Sequence, residues 1–107
     1  MNEEIVNLNE LQFMVDKWIK EIGKGYFSEL TNTAILMEEV GELARIMARK
    51  YGDQISKKNE TQENLADELA DVLWIVTCLA NQTGVNLNQA ILQNFEKKTK
   101  RDKNRFG

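Results

Sequence analysis

The absence of proline is the feature that most restricts how this chain can fold, because proline strongly interrupts helices. The 107 residues contain no proline and only six glycines. Apolar residues recur at helical spacing in the stretches between glycines, which predicts an all-α, four-helix bundle-like fold. We expect the helices at residues 7–22, 31–51, 61–83 and 87–100 of a single domain covering residues 1–107.

The segments between the helices carry turn and cap signals. Gly23 and Gly25 should end the first helix, and residues 26–29 are predicted to form a loop with two exposed aromatic side chains, Tyr26 and Phe27. Gly52 should stop the second helix, and Thr61 is the expected N-cap of the third.

The third helix is apolar on nearly every side, since residues 72–76 read VLWIV and residues 77–80 read TCLA. A helix of this kind has to be surrounded, which favours a homo-oligomer with this helix at its centre. Within it, Trp74 is expected in the core and Cys78 as inert packing. Trp18, on the apolar stripe of the first helix, is also interpreted as a core residue.

The charge is distributed unevenly along the chain. Residues 1–96 carry a net charge of -8, whereas the basic tail of residues 97–107 carries +5. An acidic body makes a poor general nucleic-acid binder, but such a chain can hold a small polyanion. No apolar run is long enough for a membrane span, no signal peptide opens the chain, and one cysteine fits a reduced, cytoplasmic setting.

Two acidic pairs interrupt the apolar stripes of the second and third helices. Glu39 and Glu42 are three residues apart and share a helical face, and Glu68 and Asp71 repeat the spacing. A single pair is usually a solvated helix face. Two pairs on core-facing stripes are costly without cations, because an unpaired charge taken out of water either loses several kcal/mol or shifts its pKa and becomes neutral.

The ligand chemistry of these acids points to a hard divalent cation. All four offer oxygen, and the chain has no histidine, which selects Mg²⁺ or Mn²⁺ over zinc or copper. The lack of histidine also argues against a carboxylate-bridged di-iron bundle. Four carboxylates carry more charge than one divalent ion neutralises, so two or more ions with a bound polyphosphate are expected.

The motifs EEVGEL at residues 38–43 and DELADVL at residues 67–73 resemble the EExxE and ExxD signatures of the MazG-like nucleotide pyrophosphohydrolases, a branch of the all-α NTP pyrophosphatases. The resemblance covers about residues 8–106. It implies a helical dimer or tetramer, with Mg²⁺ at the carboxylates, that converts an NTP to NMP and pyrophosphate. It also implies Glu38 as a further ligand or as the group that orients or deprotonates the attacking water.

The resemblance also gives the basic tail a role. Asn94, Lys97 and Arg101 follow one another at one-turn intervals and form a face able to grip the β- and γ-phosphates, with Lys98 as the competing choice. The other interpretation is a solvated helix end, where cations suit the helix dipole. Tyr26 and Phe27 are the candidates for stacking on the base.

Two functions remain open at this point. One is a Mg²⁺-dependent pyrophosphohydrolase of NTPs or dNTPs that cleans the nucleotide pool. The other is a catalytically silent helical module that assembles or binds nucleotide or metal. The acids act on the phosphates through the metal, so they do not indicate which base is preferred.

Overall fold

The computed structural model describes the backbone of residues 4–52 and 62–106, and the side chains of these ranges apart from 62–64 and 104–106. Within these residues the chain forms four α-helices and no strand, which confirms the all-α prediction. The helices are α1 (Leu8–Glu21), α2 (Glu29–Tyr51), α3 (Gln62–Thr83) and α4 (Leu87–Phe106).

Side-chain caps fix where the first two helices begin. The Asn7 side chain accepts a hydrogen bond from the Glu10 amide at 2.8 Å and caps α1. Ser28 accepts one from the Thr31 amide at 3.2 Å and caps α2. Helix α2 therefore begins at Glu29, two residues before the predicted start, so the predicted loop loses its last residue. The predicted cap Thr61 lies outside the described residues.

The helix ends are less uniform. Gly52 follows α2 and donates its amide to the Ala48 carbonyl at 2.8 Å. Gly84 follows α3 with a φ of 71°, a backbone conformation that favours glycine. Helix α4 continues to Phe106 instead of ending near residue 100, so most of the basic tail is helical.

Helix α3 packs against α2 and α1, while α4 packs against α1. The centre of the core is formed by Val15, Ile75 and Cys78, all buried. Partly buried side chains from α1, α2 and the α1–α2 loop surround this centre: Leu11, Ile19, Tyr26, Ile35 and Leu36. The predicted packing role of Cys78 agrees with its position.

A polar network joins α1 to α3 and to the turn before α4. Gln12 donates to Asn81 Oδ1 at 3.1 Å and to the Val85 carbonyl at 2.8 Å, and it accepts from the Leu87 amide at 2.9 Å. Asn81 also donates to the Tyr26 hydroxyl at 3.1 Å. Because both side-chain groups of Gln12 are satisfied, the network holds the start of α4 on α1 without leaving unpaired polar atoms.

One protomer does not surround α3. Leu69 and Leu73 on α3 remain about half exposed, as do Leu92 and Phe95 on α4. The cover that the apolar pattern predicts is therefore absent from a single copy over the described residues. None of the helices in the described ranges is long and apolar enough to cross a membrane.

Candidate active site

Three of the predicted acids come together where α2 packs against α3. One carboxylate oxygen from each of Glu39, Glu68 and Asp71 lies within 4.8 Å of the other two. Glu39 comes from α2, and the other two acids lie one turn apart on α3, so the cluster joins the two helices. Glu39 and Glu68 are half-buried, and Asp71 is exposed.

The cluster is electrostatically costly as it stands. A hydrogen bond with Glu68 raises the pKa of Glu39, and burial and the neighbouring charges of Glu68 and Glu38 raise it further. Burial raises the pKa of Asp71, helped by the charges of Asp67 and Glu39. These shifts mean that Glu39 and Asp71 resist being ionised together without a cation.

A divalent cation fits the cluster on a separate observation. Oxygen Oε2 of Glu68 is buried and has no hydrogen-bond partner among the described residues. A buried carboxylate oxygen without a partner is rare and calls for a cause such as a bound ion. With three oxygen ligands at this spacing, the chemistry suits a hard cation such as Mg²⁺ or Mn²⁺.

The two remaining acids of the motif lie at the edge of this cluster. Glu42 forms an ion pair and hydrogen bond with Arg45 on the same helix, and it does not join the three-carboxylate group. Glu38 is exposed beside Glu39. Gly41 lies between them, and a Cβ added there would meet no atom within 4 Å among the described residues, so the surface beside the acids is open.

A cavity of about 350 Å³ opens one helical turn from the carboxylates. On α2 the lining residue nearest the acids is Ile35, one turn before Glu39, and on α3 it is Trp74, one turn after Asp71. The walls come from three helices and the α1–α2 loop, and they include four aromatic residues: Trp18, Tyr26, Phe27 and Trp74. Aromatic rings around an open cavity are suited to stacking on a flat ring such as a nucleobase.

The prediction that Trp18 and Trp74 belong to the core is wrong. Their side chains are 45 % and 37 % exposed, respectively, and both line the cavity. The rings meet edge to face on the side where α1 and α3 converge. One signal in the sequence pointed this way, since Trp74 follows Asp71 by one helical turn. Trp18 carried no such signal, because its exposure depends on how α1 packs.

The predicted aromatic loop residues behave differently from each other. Phe27 is exposed as expected and lines the cavity. Tyr26 is not exposed as predicted: its ring packs on the core, and its hydroxyl donates to Asp16 Oδ1 at 2.6 Å. Burial and this hydrogen bond raise the pKa of Tyr26 to about 12. Both side chains are placed beside the cavity, which leaves the predicted stacking role open to them.

The residues predicted to bind the phosphates lie on α4, and they form no described hydrogen bond with the clustered acids. Among the described residues, no hydrogen bond or ion pair connects Asn94, Lys97 or Lys98 to Glu39, Glu68 or Asp71. Arg101 forms an ion pair with Asp102 at 3.1 Å. Lys97 lies in a shallow polar groove on α4 itself. Helix α4 packs on α1, whereas the clustered acids lie on α2 and α3.

Comparison with known proteins identifies close relatives. Residues 27–106 match the model of the MazG nucleotide pyrophosphohydrolase domain, a range that contains all five motif acids. The chain is 37 % identical to the uncharacterized protein YpjD of Bacillus subtilis (strain 168), over 92 % of this chain and 89 % of that protein. It is 33 % identical to the uncharacterized protein YvdC of the same organism, over 80 % of this chain and 91 % of that protein.

Two solved structures share the fold. A crystal structure of YpjD from Bacillus subtilis, described as a candidate pyrophosphatase, matches with a TM-score of 0.80 and 35 % identity, over 89 % of this chain and 97 % of that one. The crystal structure of a Bacillus-conserved MazG protein, a nucleotide pyrophosphohydrolase, matches with a TM-score of 0.75 and 34 % identity, over 89 % and 92 % of the two chains.

Proposed function

Since the chain belongs to the MazG nucleotide pyrophosphohydrolase domain family, and is a pyrophosphatase of nucleotides, we propose that it hydrolyses NTPs or dNTPs to the monophosphate and pyrophosphate with Mg²⁺ or Mn²⁺. The observation that carries the proposal is the cluster of Glu39, Glu68 and Asp71, one helical turn from an aromatic cavity. The acids suit the metal-bound phosphates, and the cavity suits the base.

In this proposal Glu39, Glu68 and Asp71 hold the cation, and Glu42 completes the set. Glu42 reaches that role only after its ion pair with Arg45 opens. A bound divalent cation would supply polarisation of the phosphate oxygens and a lowered pKa for water. Four acids and a polyphosphate together carry enough negative charge for two or more ions.

Glu38 is proposed to take the proton from the attacking water. It is exposed beside Glu39, so its carboxylate can reach a water at the mouth of the cluster. Attack on the α-phosphorus releases pyrophosphate as the leaving group. If Glu38→Gln keeps full turnover and metal affinity, the proposed base is wrong; lost turnover with normal metal affinity supports it.

The cavity is proposed to hold the nucleobase between Trp18, Phe27 and Trp74. None of its lining side chains is charged, so it suits a neutral ring better than a phosphate. Tyr26 supports the wall through its packing on the core. The size and openness of the cavity fit canonical and modified bases alike, which suits an enzyme that cleans the nucleotide pool.

Self-association is proposed to complete the site. The apolar side chains left open on α3 and α4 give a second copy a surface to cover. In a dimer or tetramer, Asn94, Lys97, Lys98 and Arg101 on α4 can approach the phosphates of a substrate held by another copy. The chain is proposed to work as a single domain in the cytoplasm, without nucleic-acid or membrane partners. Light scattering that finds a monomer at working concentration contradicts the assembly.

The deciding experiment is a pyrophosphate-release assay on a panel of NTPs and dNTPs, with Mg²⁺, Mn²⁺ or EDTA. We expect turnover with either cation, none with EDTA, and loss of turnover in Glu39→Gln. Glu29→Gln is the matched control, because Glu29 is an exposed acid at the start of the same helix. Tight nucleotide binding without turnover on any substrate would instead identify a silent binding module.

A further inference from the structure

Asn32 is a buried carboxamide in the wall of the cavity. It lies in the first turns of α2, is 3 % exposed, and lines the cavity beside Ile35. Asparagine is a poor residue for a helix interior, and burying its polar atoms costs free energy unless they find partners. An asparagine in this position therefore needs a reason that packing alone does not supply.

A chain of hydrogen bonds fixes which way the amide of Asn32 faces. Gln82 donates its Nε2 to the Phe27 carbonyl at 2.7 Å, and a carbonyl can only accept. The Oε1 of Gln82 is therefore the atom that faces Asn32, and the Nδ2 of Asn32 donates to it at 2.8 Å. This order of donors leaves no freedom to exchange the nitrogen and oxygen of either amide.

Oxygen Oδ1 is the amide atom of Asn32 that the bond to Gln82 leaves over. Gln82 does not line the cavity, whereas Asn32 does, which favours an amide with its nitrogen turned away from the space and its Oδ1 toward it. Among the described residues, the bond to Gln82 is the one hydrogen bond of this side chain. Within the described part of the chain, Oδ1 is thus an acceptor without a donor.

The other polar side chains of the lining do not compete for this role. The Tyr26 hydroxyl donates to Asp16 and accepts from Asn81, so it is already satisfied. Cys78 has a buried thiol, which is a weak acceptor. The remaining aromatic and aliphatic side chains offer surfaces for stacking but no strong acceptor.

We propose that Asn32 is a specificity-determining residue, whose Oδ1 accepts a hydrogen bond from an N–H group on the edge of the nucleobase. This inference rests on the proposed function, in which the cavity holds the base. The enzyme then favours bases that present an amino or ring N–H group to α2 over analogues in which that position carries hydrogen on carbon or a methyl group. Gln82 is the positioning residue that orients the amide.

The test uses matched nucleotide pairs that differ in one N–H group. The pairs are dCTP with its 2-pyrimidinone analogue, dATP with its purine analogue lacking the 6-amino group, and dTTP with N3-methyl-dTTP. For the best natural substrate, we expect kcat/KM to fall about 10- to 100-fold on loss of the N–H group, because Oδ1 of Asn32 then has no donor in the bound complex. A ratio near one for every hydrolysed pair in the wild-type enzyme overturns the proposal.

Two variants locate the effect. In Asn32→Leu the ratio of kcat/KM between the two nucleotides of a pair should fall to about one. A general loss of catalysis lowers both values equally, so it does not change this ratio. In Gln82→Leu the amide of Asn32 can turn over, so the ratio should fall to an intermediate value. An unchanged ratio in Asn32→Leu contradicts the assignment. If that variant fails to fold by circular dichroism, the wild-type ratios together with Gln82→Leu decide.

The design separates the two proposals. If the wild-type enzyme hydrolyses none of the nucleotides, the proposed function fails and the role of Asn32 falls with it. If it hydrolyses them but treats paired nucleotides alike, the proposed function stands and Asn32 does not read the base.

Discussion

The indole rings of Trp18 and Trp74 meet edge to face, with their centroids 5.3 Å apart and an angle of 86° between their planes. This geometry is a favourable one for two aromatic rings, and it holds α1 against α3 at the cavity. It leaves a face of each ring available for another flat ring. Since these are the two tryptophans of the chain, their fluorescence reports on the cavity alone.

We therefore expect nucleotide binding to change tryptophan fluorescence. We also expect Trp74→Ala to weaken nucleotide binding. Stacking on an aromatic side chain contributes about 1–3 kcal/mol per base, so kcat/KM should fall about 10- to 100-fold, mainly through KM. Phe13→Ala is the matched control, because Phe13 is an exposed ring of α1 that does not line the cavity. Equal losses in both variants would argue against a base-binding role for Trp74.

Removing one acid from the cluster should separate metal binding from folding. Glu39→Gln removes a charge that its neighbours disfavour, so the metal-free variant should melt at a higher temperature than the metal-free wild type. Its affinity for Mg²⁺ should fall at least about tenfold, because a ligand is lost. Calorimetric titration with Mg²⁺ and melting curves in EDTA measure the two effects. A variant that loses both stability and metal affinity would point to a structural role for Glu39.

The raised pKa values of Glu39 and Asp71 predict how stability depends on pH. A carboxyl with a raised pKa in the folded protein contributes its full stability below its unfolded pKa, near 4.5 for Glu39, and loses it as pH rises through the folded value. In EDTA, the wild type should therefore lose stability relative to Glu39→Gln as pH rises above 4.5. Excess Mg²⁺ should reverse the trend, because protons compete with the cation. Urea unfolding at several pH values measures the difference, and parallel curves in EDTA would contradict it.

The bond between Tyr26 and Asp16 makes a separate prediction at high pH. The pKa of Tyr26 is raised to about 12, so its contribution to stability is complete below the ordinary value of 10.0 and is lost as pH rises through 12. Tyr26→Phe should cost about 1–2 kcal/mol at neutral pH, since the hydroxyl loses its bond to Asp16 and the one it accepts from Asn81. An ultraviolet titration should show a tyrosine ionising near pH 12 in the wild type. The persistence of that transition in Tyr26→Phe would contradict its assignment to Tyr26.

Cys78 offers a probe that does not depend on turnover. It is the one cysteine of the chain, it lines the cavity, and burial raises the pKa of its thiol. A thiol reagent should therefore react slowly, and the rate should fall further in proportion to the fraction of protein with nucleotide bound. Cys78→Ala gives the background rate. A rate that nucleotide leaves unchanged would place the base outside the cavity.

The parts of the fold that follow from local spacing could be predicted from the sequence. Four helices follow from apolar periodicity, and the pairing of Glu68 with Asp71 follows from one helical turn. The sequence also contains the cap at the start of α2, because Ser28 can accept a hydrogen bond from the Thr31 amide. The two aromatic residues before Ser28 favoured a longer loop. These features depend on residues at most a few positions apart.

The remaining features depend on contacts between distant parts of the chain. The exposure of Trp18 depends on how far α1 tilts from α3, which no local pattern records. The orientation of Asn32 depends on Gln82, 50 positions later. Glu42 shares the predicted face with Glu39, yet it pairs with Arg45 one turn away. The opposite charge of Arg45 attracts the Glu42 carboxylate, whereas the acidic cluster repels it.

Helix α2 carries both ends of the proposed substrate site, with Asn32 at the cavity and Glu39 at the carboxylates. Seven residues of α-helix at about 1.5 Å each separate them by about 10 Å along the axis. An α-helix hardly stretches, so α2 acts as a ruler between the base and the hydrolysed phosphate. In the proposed site a substrate must match that length as well as each end, so we expect inorganic polyphosphates and free bases to be poor ligands even though no side chain repels them.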